Sequence, residues 1–317
     1  MRERELVVLM KGFEKLTRTQ RQRVVAELAA GERKAASVEV IEGSLSDTPC
    51  CPHCAAERVV KNGSADGLQR YKCRACGKTF NALTGSPLAG LHMRGKWLDQ
   101  AAVLRDGLSL SKAMARLNVS RPTAFRWRHR FLALPKSVQA QALRGIAEGD
   151  ETFFLRSSKG QRQGMSRSPR KRGGKAEKRG TSKEQVPVLV ARDRAGSTAD
   201  FILEADDSAH IVAALKPLLA KDAIFCSDGS KAMAAAARTM KVAHRPINLS
   251  AGIRVIGGVY HVQNVNAYDS RLKDWLRRFK GVATKYLDSY LGWYRAIDRT
   301  PGGSLNPTAL LAMAVRV

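Results

Sequence analysis

Residues 146–155 read I-A-E-G-D-E-T-F-F-L, and the fold turns on them. Ahead of Gly145 apolar residues recur with a helical period; from Ile146 they follow the shorter period of a strand. Asp150 and Glu151 fall in the middle of that strand, where charge is unfavourable and needs a reason. Downstream, Arg156 to Lys183 is rich in Gly, Ser, Lys and Arg, with eleven basic residues and one acidic, Glu177. Such a stretch is too polar to fold by itself, and residues 156–185 are read as a flexible basic insertion. Two strands follow, Val186–Asp193 and Ala199–Ala205, and the short turn Arg194-Ala-Gly-Ser between them implies an antiparallel hairpin. A helix over Ala209–Leu219 leads to a strand, Ala223–Ser227, that ends in Asp228-Gly229. A helix over Lys231–Met240, strands near Val242 and over Val259–Val262, and two helices from Asn264 onward complete the order.

Strand, strand, strand, helix, strand, helix is the order of ribonuclease-H-like folds, here over residues 145–300. In that arrangement the first and fourth strands lie side by side, so Asp150 and Asp228 can meet at one point. Two carboxylates on neighbouring central strands suit Mg²⁺, which takes oxygen ligands and keeps positions open for phosphate and water. A pair of such ions about 3.5–4 Å apart activates an attacking oxygen and neutralises a leaving one. A strand-end Asp and a turn Asp-Gly also arise by chance, so spacing alone leaves catalysis open.

Toward the N-terminus, residues 83–140 read as helices. Trp97–Asp106 is one, and Ser109–Leu117 is another, with Leu110, Ala113, Met114 and Leu117 on one stripe. After Asn118-Val119, Ser120 can cap a third helix, Arg121–Phe131, whose early Pro122 is tolerated in the first turn. That helix carries Arg121, Arg126, Arg128 and Arg130, and two helices joined by a three-residue turn form the helix-turn-helix arrangement for a major groove. A small bundle with a solvated basic face is the alternative.

Before it, over residues 48–82, Cys51 and Cys54 form one C-x-x-C pair and Cys73 and Cys76 another, with eighteen residues between them. Two such turns complete a tetrahedron of thiolates, and the spacing predicts a structural Zn²⁺ in a zinc ribbon. A disulfide pair is disfavoured in an intracellular chain. Cys50 reads as a spare thiol and Cys226 as a buried small residue. Residues 1–47 read as an N-terminal helical segment, in which residues 3–36 suggest an amphipathic helix pair with Leu6, Val7, Met10, Phe13 and Leu16 on a stripe, suited to core packing or self-association. Residues 301–317 read as a C-terminal tail. The whole is an α+β multidomain chain.

Its 317 residues carry 55 Lys and Arg against 28 Asp and Glu, a net charge of +27, which calls for a polyanionic partner. A hydrophobic content of 44% excludes wholesale disorder, and no apolar run approaches the ~18 residues of a membrane span. The opening Met-Arg-Glu-Arg-Glu is no apolar signal core, so an intracellular chain is expected.

The chain resembles bacterial insertion-sequence transposases of the ISXO type. The resemblance rests on C-P-H-C with C-R-A-C-G-K-T-F-N-A-L-T-G-S-P-L, on A-F-R-W-R-H-R-F, on D-E-T at Asp150 and S-D-G at Asp228. It continues through H-V-Q-N-V-N-A-Y-D-S-R-L-K and F-K-G-V-A-T-K-Y-L-D-S-Y-L-G-W-Y, and covers about residues 48 to 295. It implies a zinc ribbon ahead of a ribonuclease-H-like core that cleaves and transfers DNA strands with two Mg²⁺ or Mn²⁺. Asp150 and Asp228 match its first two metal-binding acids, and Asn266 stands where related subgroups place Glu. Lys273 matches the basic residue that faces donor DNA phosphate. Implied partners are the element's terminal repeats, target DNA and further copies of the chain, at the nucleoid in bacterial cytoplasm. The rival is a non-catalytic DNA-binding regulator derived from such an enzyme.

Asn266 is a neutral ligand, weaker for Mg²⁺ than a carboxylate, and no Glu follows Glu204. Asp269 and Lys273 share its helix face, so Asp269 is a candidate to supply the missing charge, directly or through water. An ordinary Asp–Lys pair is equally open. His261 can steady a phosphate or pack at a strand end. Arg271, Arg277, Arg278 and Lys280 suit DNA backbone contact, and Trp293-Tyr294 suits the core. DNA binding is expected to weaken steeply with salt, and deletion of residues 158–183 to lower that slope in a salt titration. An unchanged slope would make the insertion a mere solvated loop.

Overall fold

Two unrelated devices organise this chain, a knot of four thiols and a mixed sheet. The computed structural model describes residues 3–46, 48–161, 163–164, 174, 176–177 and 182–315. The basic insertion read over 156–185 therefore lies for the most part outside the described residues. The chain divides into two compact units, residues 1–131 with 306–317, and residues 132–305.

In the first unit, α1 (Glu3–Glu14) buries none of its side chains, so Leu6, Val7 and Met10 are no part of a core here. Helix α2 (Arg18–Glu42) starts at a reciprocal cap, in which Thr17 accepts from the Gln20 amide and Gln20 accepts from the Thr17 amide. Strands β1 (Val59–Ala65), β2 (Leu68–Cys73) and β3 (Thr79–Phe80) form an antiparallel sheet in that order. Tyr71 pairs with Phe80 in register and their rings stack at 5.5 Å. Cys51, Cys73 and Phe80 make the small core beneath. The Sγ atoms of Cys51, Cys54, Cys73 and Cys76 all lie within 4.8 Å of one another, with Cys51 to Cys76 at 3.7 Å and Cys54 to Cys73 at 3.6 Å. The amides of His53 and Cys76 donate to the sulfurs of Cys51 and Cys73. The Cys76 amide, with the Ala75 amide and neighbouring thiols, holds the Cys73 thiol down to about 7 against burial. This arrangement is compatible with a zinc ribbon.

Helices α3 (Trp97–Arg105), α4 (Leu110–Leu117) and α5 (Arg121–Phe131) follow. Ser109 caps α4, which stops at Asn118 in the left-handed region (φ 48°). Ser120 caps the next, its Oγ accepting from the Thr123 amide. Trp97, Leu104, Ala113, Leu117, Trp127 and Phe131 are buried together, with Trp97 edge-on to Phe131. The segment read as a tail contains a helix, α11 (Pro307–Ala314), that belongs to this unit. It packs against α3, with Leu310, Leu311 and Ala314 buried, and Asn306 caps its start.

The second unit begins with α6 (Ala133–Ser137). Its sheet comprises β4 (Ile146–Leu155), β5 (Gln185–Asp193), β6 (Thr198–Ile202), β7 (Ile224–Ser227) and β8 (Ala243–Pro246), in the order β6-β5-β4-β7-β8. The first three are antiparallel, whereas β7 runs parallel to β4 and β8 parallel to β7. Between them lie α7 (Ser208–Leu215) and α8 (Lys231–Met240), which bury Ile211, Leu215, Met233 and Ala236 against Ala147, Leu189 and Phe225 of the sheet. Gly149 is required on this face, because a Cβ there would stand 2.6 Å from the Phe225 ring. Helices α9 (Gln263–Arg277) and α10 (Leu287–Arg299) follow, and α11 spans Pro307–Ala314. Trp293 and Tyr294 of α10 are buried, as expected, in an aromatic cluster with Trp275 of α9. Arg295 is fully buried; it pairs with Asp200 on β6 and donates to the carbonyls of Pro135, Lys136 and Val138. The strand expected over Val259–Val262 does not form. Gly257 and Gly258, both at positive φ, turn the chain so that only an isolated bridge, Ile256 to Tyr260, is made before α9. Among the described residues no helix is long and apolar enough to cross a membrane.

Elemental analysis of the purified chain is expected to find about one zinc per chain, lost together with ribbon stability in a Cys73→Ser variant. A metal-free chain with an unchanged melt would contradict the zinc assignment.

Candidate active site

The parallel pairing of β4 with β7 places Glu148 opposite Cys226. Two residues further on, Asp150 stands in the middle of β4 and Asp228 just past the carboxyl end of β7, its neighbour in the sheet. The carboxylate oxygens of Asp150, Glu151 and Asp228 all lie within 4.8 Å of one another, the first two residues half-buried and Asp228 exposed. Asp150 accepts from the Glu151 amide (3.0 Å) and Asp228 from the Ser230 amide (2.9 Å). Gly229 (φ 78°) permits the turn under Asp228, where a Cβ would meet Pro246 at 3.0 Å. Sequence reasoning singled out Asp150 and Asp228. It noted the charge of Glu151 and gave it no role.

These acids crowd one another. Burial, then the charge of Asp228, pushes Asp150 up to about 6, against the Glu151 amide and Lys273, which draw it down. Burial, then Asp206, Asp150 and Asp228, pushes Glu151 up to about 8. Asp206 is raised as well, chiefly by burial, although its hydrogen bond with Glu151 works the other way. Hard oxygen donors held this close are the donor set a divalent cation such as Mg²⁺ takes.

Helix α9 is held over the site by a carboxylate that sequence reasoning missed. Glu148 is fully buried, and its Oε2 accepts from the amides of Asn264 (2.8 Å) and Val265 (3.0 Å) in the first turn of α9. A negative charge there satisfies amides that the helix leaves free and suits its dipole. Arg194 stands 3.1 Å from the other oxygen and His261 3.4 Å, while Arg194 also bonds His261 and the Val259 carbonyl. His261 thus belongs to the support of α9. The sequence signal was the charge of Glu148 two residues before Asp150, but its partner amides are more than a hundred residues away.

Along α9, Asn266 is half-buried and Lys273 exposed, one face carrying both with Asp269. Asp269 is 6% exposed and its Oδ1 has no hydrogen-bond partner. Burial, then Asp150, pushes its carboxyl up to about 8, with Lys273 opposing. Its carboxylate does not join the three that converge among the described residues. Arg277 pairs with Asp274, Arg278 lies over the Trp275 ring, and Arg271 is engaged by Asp298; Arg277 and Arg278 remain exposed.

On α5, Arg121, Arg126 and Arg130 are exposed, and Arg130 also donates to the Pro87 carbonyl. Arg128 is a correction. It is 2% exposed and donates to the Leu108 carbonyl at 2.7 Å, so it ties α5 to its own unit and cannot reach a groove.

The fold favours the protonated forms of Asp150, Glu151 and Asp269. Their contribution to stability is complete below the ordinary carboxylate range and is lost as pH rises through about 6 and about 8. Thermal melts in buffer free of divalent cations are expected to show a midpoint that falls across this window, less steeply in Glu151→Gln. An identical pH profile in that variant would contradict the placing of the shift on this cluster.

Residues 142–294 match the family model described as the ISXO2-like transposase domain, and residues 95–134 match that of a homeodomain-like domain. The chain is 28% identical over 267 residues to a protein of Halobacterium salinarum named "Uncharacterized protein in transposable element ISH50", across 82% of this chain and 90% of that protein. A likeness to the cryoEM structure of the simian T-cell lymphotropic virus intasome with PP2A regulatory subunit B56 gamma covers 63% of this chain and 69% of that one. At 11% identity and a TM-score of 0.29, it carries no argument. By these matches the sheet and helices over residues 142–294 are an ISXO2-like transposase domain, and the helices ahead of it are a homeodomain-like, helix-turn-helix domain.

Proposed function

We propose that this chain is a DNA transposase that cleaves the ends of its insertion element and joins them to target DNA. The observation that carries the reading is the convergence of the Asp150 and Asp228 carboxylates, one from within β4 and one from just past its parallel neighbour β7, within a transposase domain. The strand order, three antiparallel strands followed by two parallel ones, supports a ribonuclease-H-like core.

Asp150 and Asp228, with the Asn266 amide oxygen from α9, would hold two Mg²⁺ or Mn²⁺. The residues fit such ions: the donors are oxygens, the acids crowd one another, and no basic side chain stands among the three that converge. Bound divalent cations supply an activated oxygen nucleophile and neutralise charge on the leaving oxygen. The protein's own part is positional. Asp150 and Asp228 fix one side of the site on strands, and Glu148 fixes α9 on the other. Lys273 is suited to grip donor phosphate, and Arg277 and Arg278 the backbone beyond it. Arg121, Arg126 and Arg130 of α5 would read the terminal repeat, with the zinc ribbon beside them as a second docking module. Joining two element ends calls for more than one copy of the chain.

Duplex DNA bearing an element end is expected to be nicked in Mg²⁺ and joined to target. Asp228→Asn should lose about 100-fold or more of that activity while still binding the duplex. Undiminished cleavage by Asp228→Asn would overturn this reading. Binding without any cleavage by the unaltered chain would instead favour a DNA-binding regulator.

A further inference from the structure

With Asn266 neutral, the reading above leaves two charged ligands for its cations. We propose that Glu151 is a metal-ligating residue, which returns to the site from β4 the carboxylate that α9 lacks. The inference rests on the metal-centre reading of Asp150 and Asp228.

Three observations carry it. First, the Glu151 carboxylate lies with those of Asp150 and Asp228 inside 4.8 Å, while those of Asp206 and Asp269, the other acids at hand, do not. Neighbouring residues on a strand point to opposite faces, which would ordinarily part Glu151 from Asp150. Here both sit beyond Glu148, the last β4 residue paired with β7, so the flank of β4 toward Asp228 is clear of the ladder. Both carboxylates gather with that of Asp228.

Second, the side-chain partner the fold gives Glu151 is another acid, Asp206. The Glu151 Oε1 is buried without a hydrogen-bond partner, and the charged groups acting on it are Asp206, Asp150 and Asp228, all acids. Glu148, three residues earlier on the same strand, shows what a structural carboxylate does here: it accepts two helix amides and faces Arg194. A carboxylate withdrawn from water among acids is unfavourable unless a proton or a cation offsets it, and among the described residues no basic group acts on Glu151.

Third, a separate group faces the same place. Asp269 is more than nine-tenths buried, its Oδ1 is unpartnered, and Asp150 is the foremost charge acting on it. A cation held by Asp150, Glu151 and Asp228 would have this acid behind it, at one remove. The site then has three carboxylates in direct reach, the charge it would have with Glu at position 266.

The test is Mn²⁺ binding by the full chain without DNA, followed by electron paramagnetic resonance of the free ion, so that it does not depend on turnover. Glu151→Gln keeps size and shape. It is expected to weaken Mn²⁺ binding about 10-fold or more, with a melt in divalent-free buffer no lower than that of the unaltered chain. Glu151→Gln combined with Asn266→Glu moves the charge back to α9 and is expected to recover most of the loss. If Glu151→Gln binds Mn²⁺ as tightly as the unaltered chain while Asp228→Asn does not, the role of Glu151 is overturned and the metal centre stands. If the combined variant stays as weak as Glu151→Gln, the exchange of charge between strand and helix is overturned. If the unaltered chain and Asp228→Asn bind Mn²⁺ alike, the metal-centre reading itself fails, and this inference with it.

Discussion

The pairing of β4 with its neighbours is the constraint on which the second unit depends. One edge of β4 runs antiparallel to β5 along its whole length, and the other runs parallel to β7 for only three residue pairs. That short parallel contact sets Asp150 beside Asp228, and its early end frees the carboxyl half of β4 for acids. The same strand reaches α9 through Glu148, whose carboxylate takes the place of the helix's missing N-terminal acceptors. Three acids within four positions, at 148, 150 and 151, thus do two kinds of work. One is spent on the fold, its Oε2 accepting two helix amides and its Oε1 facing Arg194. Two are left crowded, with pKa values to match.

Electrostatically the chain is divided against itself. Its surplus of +27 draws a polyanion, yet the centre of its transposase domain gathers acids. Once ionised, those carboxylates repel DNA phosphate unless a cation intervenes, because like charges at such distances repel strongly in a partly dehydrated site. Long-range attraction and local repulsion are therefore compatible only where divalent ions sit between the two. Lys273 is the exception on α9, a basic group near enough to Asp150 to lower its pKa.

Much of this was legible in the sequence, for identifiable reasons. The helices at 97–105, 110–117 and 121–131 have strong caps at Ser109 and Ser120 and clear apolar stripes, and their observed bounds follow those signals closely. Strand β4 runs over the residues expected, Ile146 to Leu155. Where reading failed, the cause was local. The expected strand at 259–262 is apolar enough, but Gly257-Gly258 turns the chain so tightly that no ladder partner is left. Arg128 was counted with its basic neighbours, although Ala124, Trp127 and Phe131 place it beside the buried stripe, a signal that periodicity offered. Glu148 as a cap was out of reach, since its partners lie at Asn264 and Val265. Glu151 was passed over because alternation along a strand argues against adjacent residues sharing a site.

Helix α11 gives the chain an unexpected topology. The polypeptide leaves the first unit after Phe131, completes the whole second unit, and returns at Asn306 to bury Leu310, Leu311 and Ala314. In chain order the second unit is therefore an insert within the first. A ribosome that has finished residue 305 has made every residue of the five-stranded sheet, but not yet the last core helix of the first unit. Completion of the first unit thus waits on Leu310, Leu311 and Ala314, so a chain interrupted at residue 305 would hold its acidic site complete and its first unit unfinished.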